Sequence, residues 1–413
     1  MGVGIEMIRG CIICDEMHFI NGANKVAEKI ASNYEYFYTQ GIEISYIYTQ
    51  DQIIPCKNYV STLGDLLNDS EYLDKRSTVA RLKQSKAYHT KLVQCYLENK
   101  NIRRSKMAIE NYKASKERYD FIIFNSINCA YYYLKDEGID KSIFTILISH
   151  IASDPTEQLL IDRPEIKNTS VERNTYAIYE YTVRNVDKLV TICNMAYEYI
   201  KSKYNIESTM ITNGVEDVEY IVPKEGIDYK NKDVLKFVCV ASVTNRKGQD
   251  LIVNAVANLT NEYKSKIQVN IVGQGNEFQK ICNMIENKQL EDTIHMLGAR
   301  NDIEAILKEN DIFILSSRAD TVPVAILEAM RAGLPVIATP VGEIPQMVSG
   351  GGILIDADEN SIKEVIIKCV DNRDFLSSLS RASRKQYESH YSIHTMLDLY
   401  SRAISDGVLS KEK

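Results

Sequence analysis

The stretch that decides the fold is residues 311–348, DIFILSSRADTVPVAILEAMRAGLPVIATPVGEIPQMV. The apolar runs at 311–315 and 335–338 are typical of short buried strands. Between them, a segment with helical spacing begins near Pro323, because the fixed backbone angle of proline suits the first helical turn. The stretch therefore predicts a strand–helix–strand unit of a parallel sheet.

The same alternation extends outward through the chain. In the C-terminal half, β-rich runs at 234–241, 267–272 and 292–297 are separated by helical segments at 249–260 and 276–289. In the N-terminal half, strands are predicted near 10–14, 43–48, 119–124, 143–149, 187–193 and 208–212. Strands that alternate with helices of this length predict an α/β fold of two Rossmann-like, doubly wound domains facing a central cleft. The predicted division is an N-terminal domain at 1–218 with a basic helical insertion at 65–118, a linker at 219–233, a C-terminal domain at 234–391, and a C-terminal helix at 392–413 packed on the N-terminal domain.

Composition excludes several classes of protein. The 413 residues contain 49 Lys and Arg against 56 Asp and Glu, a net charge of −7, so nucleic acid is not expected as a partner. No run approaches the roughly 18 uncharged apolar residues that span a bilayer, and the first residues lack a signal-peptide pattern. Nine scattered cysteines favour reduced thiols and a cytoplasmic location. Cys11 and Cys14 are followed by carboxylates, which favours two packed cysteines over a redox pair.

Loops that follow strands are the first places to look for chemistry, because ligands of parallel sheets bind at the carboxyl ends of the strands. Arg246 and Lys247 follow one strand and could neutralise a diphosphate, although a solvated basic turn is the alternative. Gly273 and Gly275 follow the next strand and form half of a dinucleotide fingerprint. The third glycine position holds Phe278, so the signal for a nicotinamide oxidoreductase is weak.

The helix that begins near Pro323 directs its free N–H groups at the same edge, which makes an anion site. Asp320 and Glu328 are eight residues apart, about 2.2 helical turns, so they can face one side if the segment between them is partly helical. Two carboxylates there would accept hydrogen bonds from a hydroxyl-rich ligand. The alternatives are a helix N-cap for Asp320 and a surface ion pair for Glu328. Asp356 and Asp358 are expected to form a turn rather than a metal site.

The quoted stretch closely resembles the family 4 glycosyltransferases, retaining enzymes of GT-B fold that use nucleotide-diphosphate sugars. Six other segments fall in the order found in that family. They are 20–26 (INGANKV), Ser149-His150, 211–216 (ITNGVE), 246–250 (RKGQD), 272–275 (VGQG) and Leu297-Gly298.

The resemblance implies the roles of individual residues. Lys247 would neutralise the diphosphate, Asp320 would hold sugar hydroxyls, and Glu328 would hold the ribose. His150 would contact the donor sugar or phosphate, and the segment after Gly298 would meet the nucleobase. The implied catalytic residues are His150, Lys247, Asp320 and Glu328. The implied donor-binding residues are Gly22, Ala23, Arg246, Lys247, Gly273, Gly298, Ala299, Arg300, Asp320, Thr321, Val322, Pro323, Val324, Ala325 and Glu328.

The implied activity is transfer of a sugar from a nucleotide-diphosphate sugar, a uridine diphosphate (UDP) sugar by family frequency, to a polysaccharide or glycolipid acceptor. The configuration at C1 would be retained and no metal cofactor is expected. The domain at 1–218 would bind the acceptor and the domain at 234–391 the donor. Ser242 stands where the family usually has arginine, and Asp320 where it usually has glutamate. These departures leave open a catalytically silent protein that binds sugar nucleotides, and Arg246 is the candidate for the missing charge.

The basic insertion predicts a second kind of contact. From residue 81 to residue 118 there are eleven Lys or Arg against three Glu, with neither Pro nor Gly to interrupt a helix. Apolar residues within this segment could supply one apolar face: Leu92, Val93, Tyr96, Leu97, Ile102, Met107 and Tyr112. The pattern predicts peripheral contact with an anionic membrane on its cytoplasmic face. A solvated helical face is the alternative.

Overall fold

Two compact units make up the chain. The computed structural model describes residues 7–15, 24–59, 90–151, 154–162, 164–217 and 228–411. Contacts between residues assign 1–213 and 397–413 to unit 1, and Gly214–Met396 to unit 2. Most of the expected linker lies outside the described residues. Its last part is packed rather than free, because Tyr229 is buried and its hydroxyl donates a hydrogen bond to the Asp311 carbonyl at 3.0 Å.

Unit 1 contains, within its described residues, a seven-stranded sheet in the order β3-β2-β1-β4-β5-β6-β7. Every neighbouring pair is parallel except β2 and β3. The strands are β1 (Ile8–Ile13), β2 (Ile42–Tyr48), β3 (Ile53–Pro55), β4 (Phe121–Phe124), β5 (Phe144–Ser149), β6 (Lys188–Thr191) and β7 (Thr209–Met210). The helices are α1 (Asn24–Ser32), α2 (Tyr34–Thr39), α3 (Lys91–Ser115), α4 (Ile127–Leu134), α5 (Pro155–Asp162), α6 (Ser170–Asn185) and α7 (Asn194–Tyr204).

Unit 2 contains a six-stranded sheet in the order β10-β9-β8-β11-β12-β13, and all of its pairs are parallel. The strands are β8 (Leu235–Val240), β9 (Ile267–Val272), β10 (Ile294–Gly298), β11 (Ile312–Leu315), β12 (Val336–Ala338) and β13 (Gly352–Leu354). The helices are α8 (Gln249–Ala257), α9 (Asn261–Lys264), α10 (Phe278–Asn287), α11 (Ile303–Glu309), α12 (Val324–Arg331), α13 (Ile344–Met347), α14 (Glu359–Asp371) and α15 (Asp374–Gln386). The last helix, α16 (Ile393–Lys411), begins in unit 2, and its residues from Leu397 onward belong to unit 1.

Strand composition explains these sheets. Every residue of β4 (FIIF) and of β11 (IFIL) is buried, as expected for central strands that are covered by helices on both faces. The α/β prediction of two doubly wound, Rossmann-like domains is confirmed. One strand, β3, was not predicted; it is three residues long, lies at a sheet edge and ends in proline.

Strand order locates a special position in each sheet. In each sheet, the second and third strands of the unit are added outward on one side of its first strand. The fourth strand lies on the other side of the first, and the remaining strands continue outward from there. This reversal falls between β1 and β4 in unit 1, and between β8 and β11 in unit 2. In doubly wound sheets, ligands bind outside the carboxyl ends of the strands at such a switch point. The loops that follow these four strands therefore define where a site is expected.

The C-terminal helix α16 supplies a part of unit 1 that is distant in sequence. Its later residues belong to that unit. The Tyr36 hydroxyl donates a hydrogen bond to the Asp398 carboxylate, and the Lys411 ammonium lies 3.0 Å from an Asp187 carboxylate oxygen. Gly407 faces the Phe144 ring so closely that an added Cβ would lie 2.0 Å from it.

The basic insertion is described only from residue 90 onward, and there it forms α3. The apolar residues that were predicted to supply one apolar face differ in exposure. Val93, Leu97, Ile102 and Tyr112 are partly covered, while Leu92, Tyr96 and Met107 are exposed. The exposed face therefore mixes apolar and basic side chains.

The Cys11–Cys14 pair is packed, as predicted. Both thiols are buried and free, and burial raises the pKa of each. Neither thiol is therefore poised for redox chemistry.

Candidate functional site

The loop after β8 is a tight turn that presents Lys247. Residues Asn245–Lys247 form one 3₁₀ turn, which is closed by a hydrogen bond from the Lys247 N–H to the Thr244 carbonyl at 2.9 Å. Gly248 follows with a φ of +69°, a conformation that glycine adopts without strain. The positive φ turns the chain into α8 and leaves Lys247 at the carboxyl end of the strand.

Gly248 is also the point where the two switch-point loops touch. A Cβ at this position would lie 2.1 Å from the Ser316 carbonyl oxygen, just after β11. The Ser316 hydroxyl donates a hydrogen bond to the Gly248 carbonyl at 2.7 Å. The loops after β8 and β11 are therefore in direct backbone contact, which only glycine permits here.

That contact brings together the lysine and the first acidic residue of the predicted site. The Lys247 ammonium donates a hydrogen bond to the Asp320 carboxylate, and the two side chains are 11% and 10% exposed. The Arg246 guanidinium lies 3.8 Å from the same carboxylate and donates to the Ala319 carbonyl at 3.3 Å. Two cations thus meet one carboxylate at the switch point of unit 2.

The helix of the predicted anion site begins beside Pro323, as expected. Pro323 is its N-cap and α12 starts at Val324, so the alternative in which Asp320 is the N-cap of this helix is wrong. Asp320 lies in the loop, and the helical spacing therefore does not relate it to Glu328. Glu328 lies on the second turn of α12, where it is partly buried.

The loop after β12 shapes the segment that carries Asp320. Gly342, with a φ of +58°, is so close to that segment that an added Cβ would lie 2.2 Å from the Asp320 carbonyl oxygen. The Glu343 N–H donates to the Thr321 carbonyl at 2.9 Å. The Thr339 hydroxyl donates to the Ser317 carbonyl at 2.5 Å. The Asp320 backbone is thus held on both sides.

An arginine–aspartate pair that the sequence analysis did not single out ties the same loops. The Arg318 guanidinium donates two hydrogen bonds to Asp250, at 2.8 and 2.6 Å, and a third to the Asn245 carbonyl at 2.7 Å. Asp250 belongs to the RKGQD segment at 246–250, so the sequence did indicate that this position matters, although not that it pairs with Arg318. In the structure, its carboxylate binds the loop after β11 through Arg318.

The glycines after β9 and β10 allow backbone segments of neighbouring loops to pack closely together. Gly273 has a φ of +142°, and a Cβ there would lie 1.9 Å from the Ala241 carbonyl oxygen. Its N–H donates to the Gly298 carbonyl at 2.8 Å. Beyond Gly298, Ala299 is exposed, and the Arg300 guanidinium is paired with Asp302 at 2.7 Å.

In unit 1, His150 follows β5 and is held by a second polar residue. Its Nε2 lies 2.9 Å from the Asn125 side-chain oxygen, and burial lowers the pKa of the imidazole to about 4. The ring is therefore neutral at physiological pH. Asn125, directly after β4, was not predicted. Its signal is a polar residue at the end of a fully apolar strand.

Asp15, two residues after the end of β1, is another polar residue at this switch point. Its carboxylate accepts hydrogen bonds from the Ser126 hydroxyl at 2.7 Å, the Cys129 thiol at 3.1 Å and the Ser105 hydroxyl. These bonds join β1 to α3 and α4. Gly22 and Ala23 lie outside the described residues.

Among the described residues, no group of three or more His, Cys, Asp or Glu side chains is placed to hold a metal ion. Asp358, from the Asp-Ala-Asp turn, is the N-cap of α14 and accepts hydrogen bonds from the Asn360 and Ser361 N–H groups at 2.8 and 3.0 Å. This capping role matches the turn that was expected.

Part of the chain is similar to a known protein family. Residues 224–386, which include both loops of the Lys247–Asp320 pair, match the family model described as glycosyl transferases group 1. The match covers the six strands of unit 2 and the helices between them. The cluster at the switch point of unit 2 therefore lies within the segment that is similar to this family.

Two curated relatives extend the comparison. The N-acetyl-alpha-D-glucosaminyl L-malate synthase of Bacillus anthracis is 24% identical over 233 residues, 54% of this chain and 59% of that protein. A putative colanic acid biosynthesis glycosyltransferase, WcaL of Salmonella typhimurium, is 30% identical over 164 residues, 37% of this chain and 40% of that protein. The chain thus spans about half the length of the curated relatives it matches.

A solved structure supports the fold of the whole chain. The crystal structure of Anabaena HepE in complex with UDP covers 97% of this chain and all of that chain, with a TM-score of 0.61 and 14% identity. At this identity the likeness concerns the fold alone. Together with the two Rossmann-like units, it confirms the predicted GT-B fold.

Gly248→Ala tests the loop contact. The variant is expected to lower the free energy of unfolding by about 2–4 kcal/mol, since it adds a backbone clash to the strain of a positive φ. Gly350→Ala is the matched control, because Gly350 also has a positive φ, +80°, but nothing lies within 4 Å of an added Cβ. That control should lose only about 1 kcal/mol in urea denaturation. Equal losses in the two variants would contradict the contact.

The lowered pKa of His150 predicts a low titration midpoint. In ¹H–¹³C spectra of the six histidines, one ring should titrate near pH 4 and disappear in His150→Gln. The unfolded imidazole binds its proton near pH 6.5, so the contribution of His150 to stability falls as pH drops from about 6.5 to 4. Asn125→Asp should raise the midpoint by adding a carboxylate beside the ring. A midpoint above 6 in the wild type would refute the burial argument.

Proposed function

We propose that this protein is a retaining, metal-independent glycosyltransferase, which transfers a sugar from a UDP-sugar to a polysaccharide or glycolipid acceptor. In the proposed reaction, the bond between the sugar C1 and the diphosphate breaks while a bond from C1 to an acceptor hydroxyl forms on the same face. The acceptor proton passes to the departing phosphate. Unit 1 is proposed to bind the acceptor and unit 2 the donor.

The observation that carries the proposal is the Lys247–Asp320 ion pair at the switch point of unit 2. The diphosphate and the sugar of a donor are covalent neighbours, so the groups that bind them must also be neighbours. Lys247 is proposed to neutralise the diphosphate and Asp320 to accept hydrogen bonds from sugar hydroxyls. The backbone from Thr321 to Ala325 would cradle the phosphate at the N-terminus of α12, with Glu328 on the ribose.

The position of Arg246 favours an active transferase over a catalytically silent protein that binds sugar nucleotides. The departing diphosphate gains negative charge in the transition state, and fixed cations beside it lower the barrier. Ser242 cannot supply such a cation. The Arg246 guanidinium approaches the same carboxylate as Lys247, so a second positive charge is available without a metal ion.

His150 is proposed to act as a neutral hydrogen-bonding group. With its pKa lowered to about 4, it offers no positive charge to a phosphate. If Nε2–H donates to Asn125, Nδ1 is left as an acceptor, which suits a sugar hydroxyl. Asn125 would then set the ring tautomer.

The choice of donor base and acceptor is supported by the similar proteins. The Anabaena structure contains UDP, and one relative is named for colanic acid biosynthesis. A UDP-sugar and a polysaccharide-type acceptor are therefore the first substrates to test.

Lys247→Ala and Glu328→Ala should each abolish transfer, lowering kcat by about 10²–10³-fold or more. Lys280→Ala is the matched control. Like Lys247, Lys280 lies in the segment that follows a strand of this sheet and is paired with a carboxylate, that of Glu277, but it is 57% exposed. Transfer is measured with a panel of UDP- and GDP-sugars, and far-UV circular dichroism checks the fold.

Full activity in either variant would contradict the assigned site. Tight UDP binding by the wild type without transfer or hydrolysis of any donor would favour the silent sugar-nucleotide-binding protein.

We also propose that α3 contacts an anionic membrane surface. Its exposed side carries Leu92, Tyr96 and Met107, which are 84%, 67% and 41% exposed. Lys100 and Arg103 lie on the same face and make no ion pair with the described residues. Apolar groups beside unpaired cations suit a lipid interface, where each basic residue contributes about 1 kcal/mol. Within the described residues, no helix combines the length and apolar character that crossing a membrane requires.

Flotation with anionic liposomes should show binding at low salt that weakens at physiological salt. Lys100→Glu combined with Arg103→Glu should reduce binding about tenfold or more, since two attractive charges become repulsive. Lys288→Glu combined with Lys385→Glu is the control with the same net charge, because both lysines are exposed in unit 2. Wild-type protein that floats at neither salt concentration would overturn the membrane proposal.

A further inference from the structure

Unit 1 contains a cavity of about 300 Å³ at the carboxyl edge of its sheet. It is open to solvent on one side and lined by residues of α3, α4, α5 and α6. Ile151, which lines it, is next to His150 in the chain, and Ile127 and Asn128 open the helix that follows β4. The cavity therefore lies on the edge of the sheet where ligands of this fold bind.

The polar lining of the cavity is rich in amides. Asn99, Asn128 and Asn174 contribute to it, and none of the three side chains makes a hydrogen bond with the described part of the chain. Each amide offers two donors and one acceptor oxygen. Hydroxyl groups, which both donate and accept, match such a set.

The rest of the lining argues against an anion. None of the described residues around the cavity is a lysine, arginine or histidine, and Glu98 adds a negative charge. A phosphate or carboxylate would lose its hydration there without a cation to replace it. The remaining surface is largely aliphatic, with Ile102, Leu159 and Ile178 among its residues. It suits the C–H face of a sugar ring.

We infer that this cavity binds an uncharged sugar ring of the acceptor. The inference rests on the proposed transferase function and adds the chemical class of the acceptor. The volume is at the lower end of the range for small-molecule sites, about 300–1,000 Å³, so it holds a single ring. The three amides bind its hydroxyls and the aliphatic residues cover one face.

Cys95 lines the cavity and provides a direct reporter. Of the nine cysteines, only Cys95 and Cys282 are partly exposed, and the other seven are buried. In a Cys282→Ser background, the rate of iodoacetamide alkylation therefore reports the accessibility of Cys95.

The probes are methyl glucoside, methyl galactoside and N-acetylglucosamine, each beside a charged counterpart, glucuronate, galacturonate or glucose 6-phosphate. Concentrations up to about 100 mM detect Kd values in the millimolar range. At least one neutral sugar should slow alkylation several-fold, while the charged sugars leave the rate unchanged. No protection by any neutral sugar, or equal protection by a charged counterpart, would overturn the inference.

Substitution of the lining asparagines tests whether their amides bind the sugar that protects Cys95 from alkylation. Asn128→Ala and Asn174→Ala should each weaken protection and raise the KM for the acceptor while leaving the Kd for UDP unchanged. Asn287→Ala, an exposed asparagine of unit 2, is the control and should change neither. Full protection in both cavity variants would refute the role of the amides.

The experiments distinguish a failure of the proposed transferase function from a failure of the cavity assignment. UDP affinity and donor hydrolysis test the transferase function through unit 2, whereas Cys95 protection tests the cavity through unit 1. A protein that transfers sugar to an acceptor without protection of Cys95 would keep the function and lose the cavity assignment.

Discussion

The close approach of two backbones at Gly248 is the constraint on which the candidate donor site depends. The Ser316 carbonyl occupies the space that a side chain at position 248 would need. This approach sets the distance between the loops after β8 and β11, and hence the meeting of Lys247 with Asp320. The Arg318–Asp250 hydrogen bonds and the Gly342 turn hold the same loop from other sides. A site built this way is positioned by main chain, which cannot change rotamer when a ligand arrives.

Strand positions were predictable because of burial. Central strands such as β9 and β11 are covered on both faces, so they appear in the sequence as short continuous apolar runs. The three-residue edge strand β3 has no such signature. The start of α12 was predictable because Pro323 suits both the N-cap and the first helical position.

The individual residues of the site were predictable, but their contacts were not. Motif order pointed to Lys247, Asp320 and His150, whereas the partners Arg318 and Asn125 follow from the pairing of strands that are distant in sequence. Asp320 and Glu328 were linked by helical spacing, and the loop conformation at Asp320 removes that link. For α3, charge could be counted from the sequence, but the side on which Leu92 and Tyr96 lie is set by how the helix packs on unit 1.

The course of the chain through α16 has a consequence for how the protein is made. Unit 2 is one continuous segment, whereas unit 1 is completed by residues that come after it. During synthesis, the partners of Tyr36 and Phe144 emerge from the ribosome only after Gly214–Met396 has been translated. The surface of unit 1 that α16 covers therefore stays exposed until the last helix has been synthesised. A chaperone that binds exposed apolar surface would act on the chain during this interval.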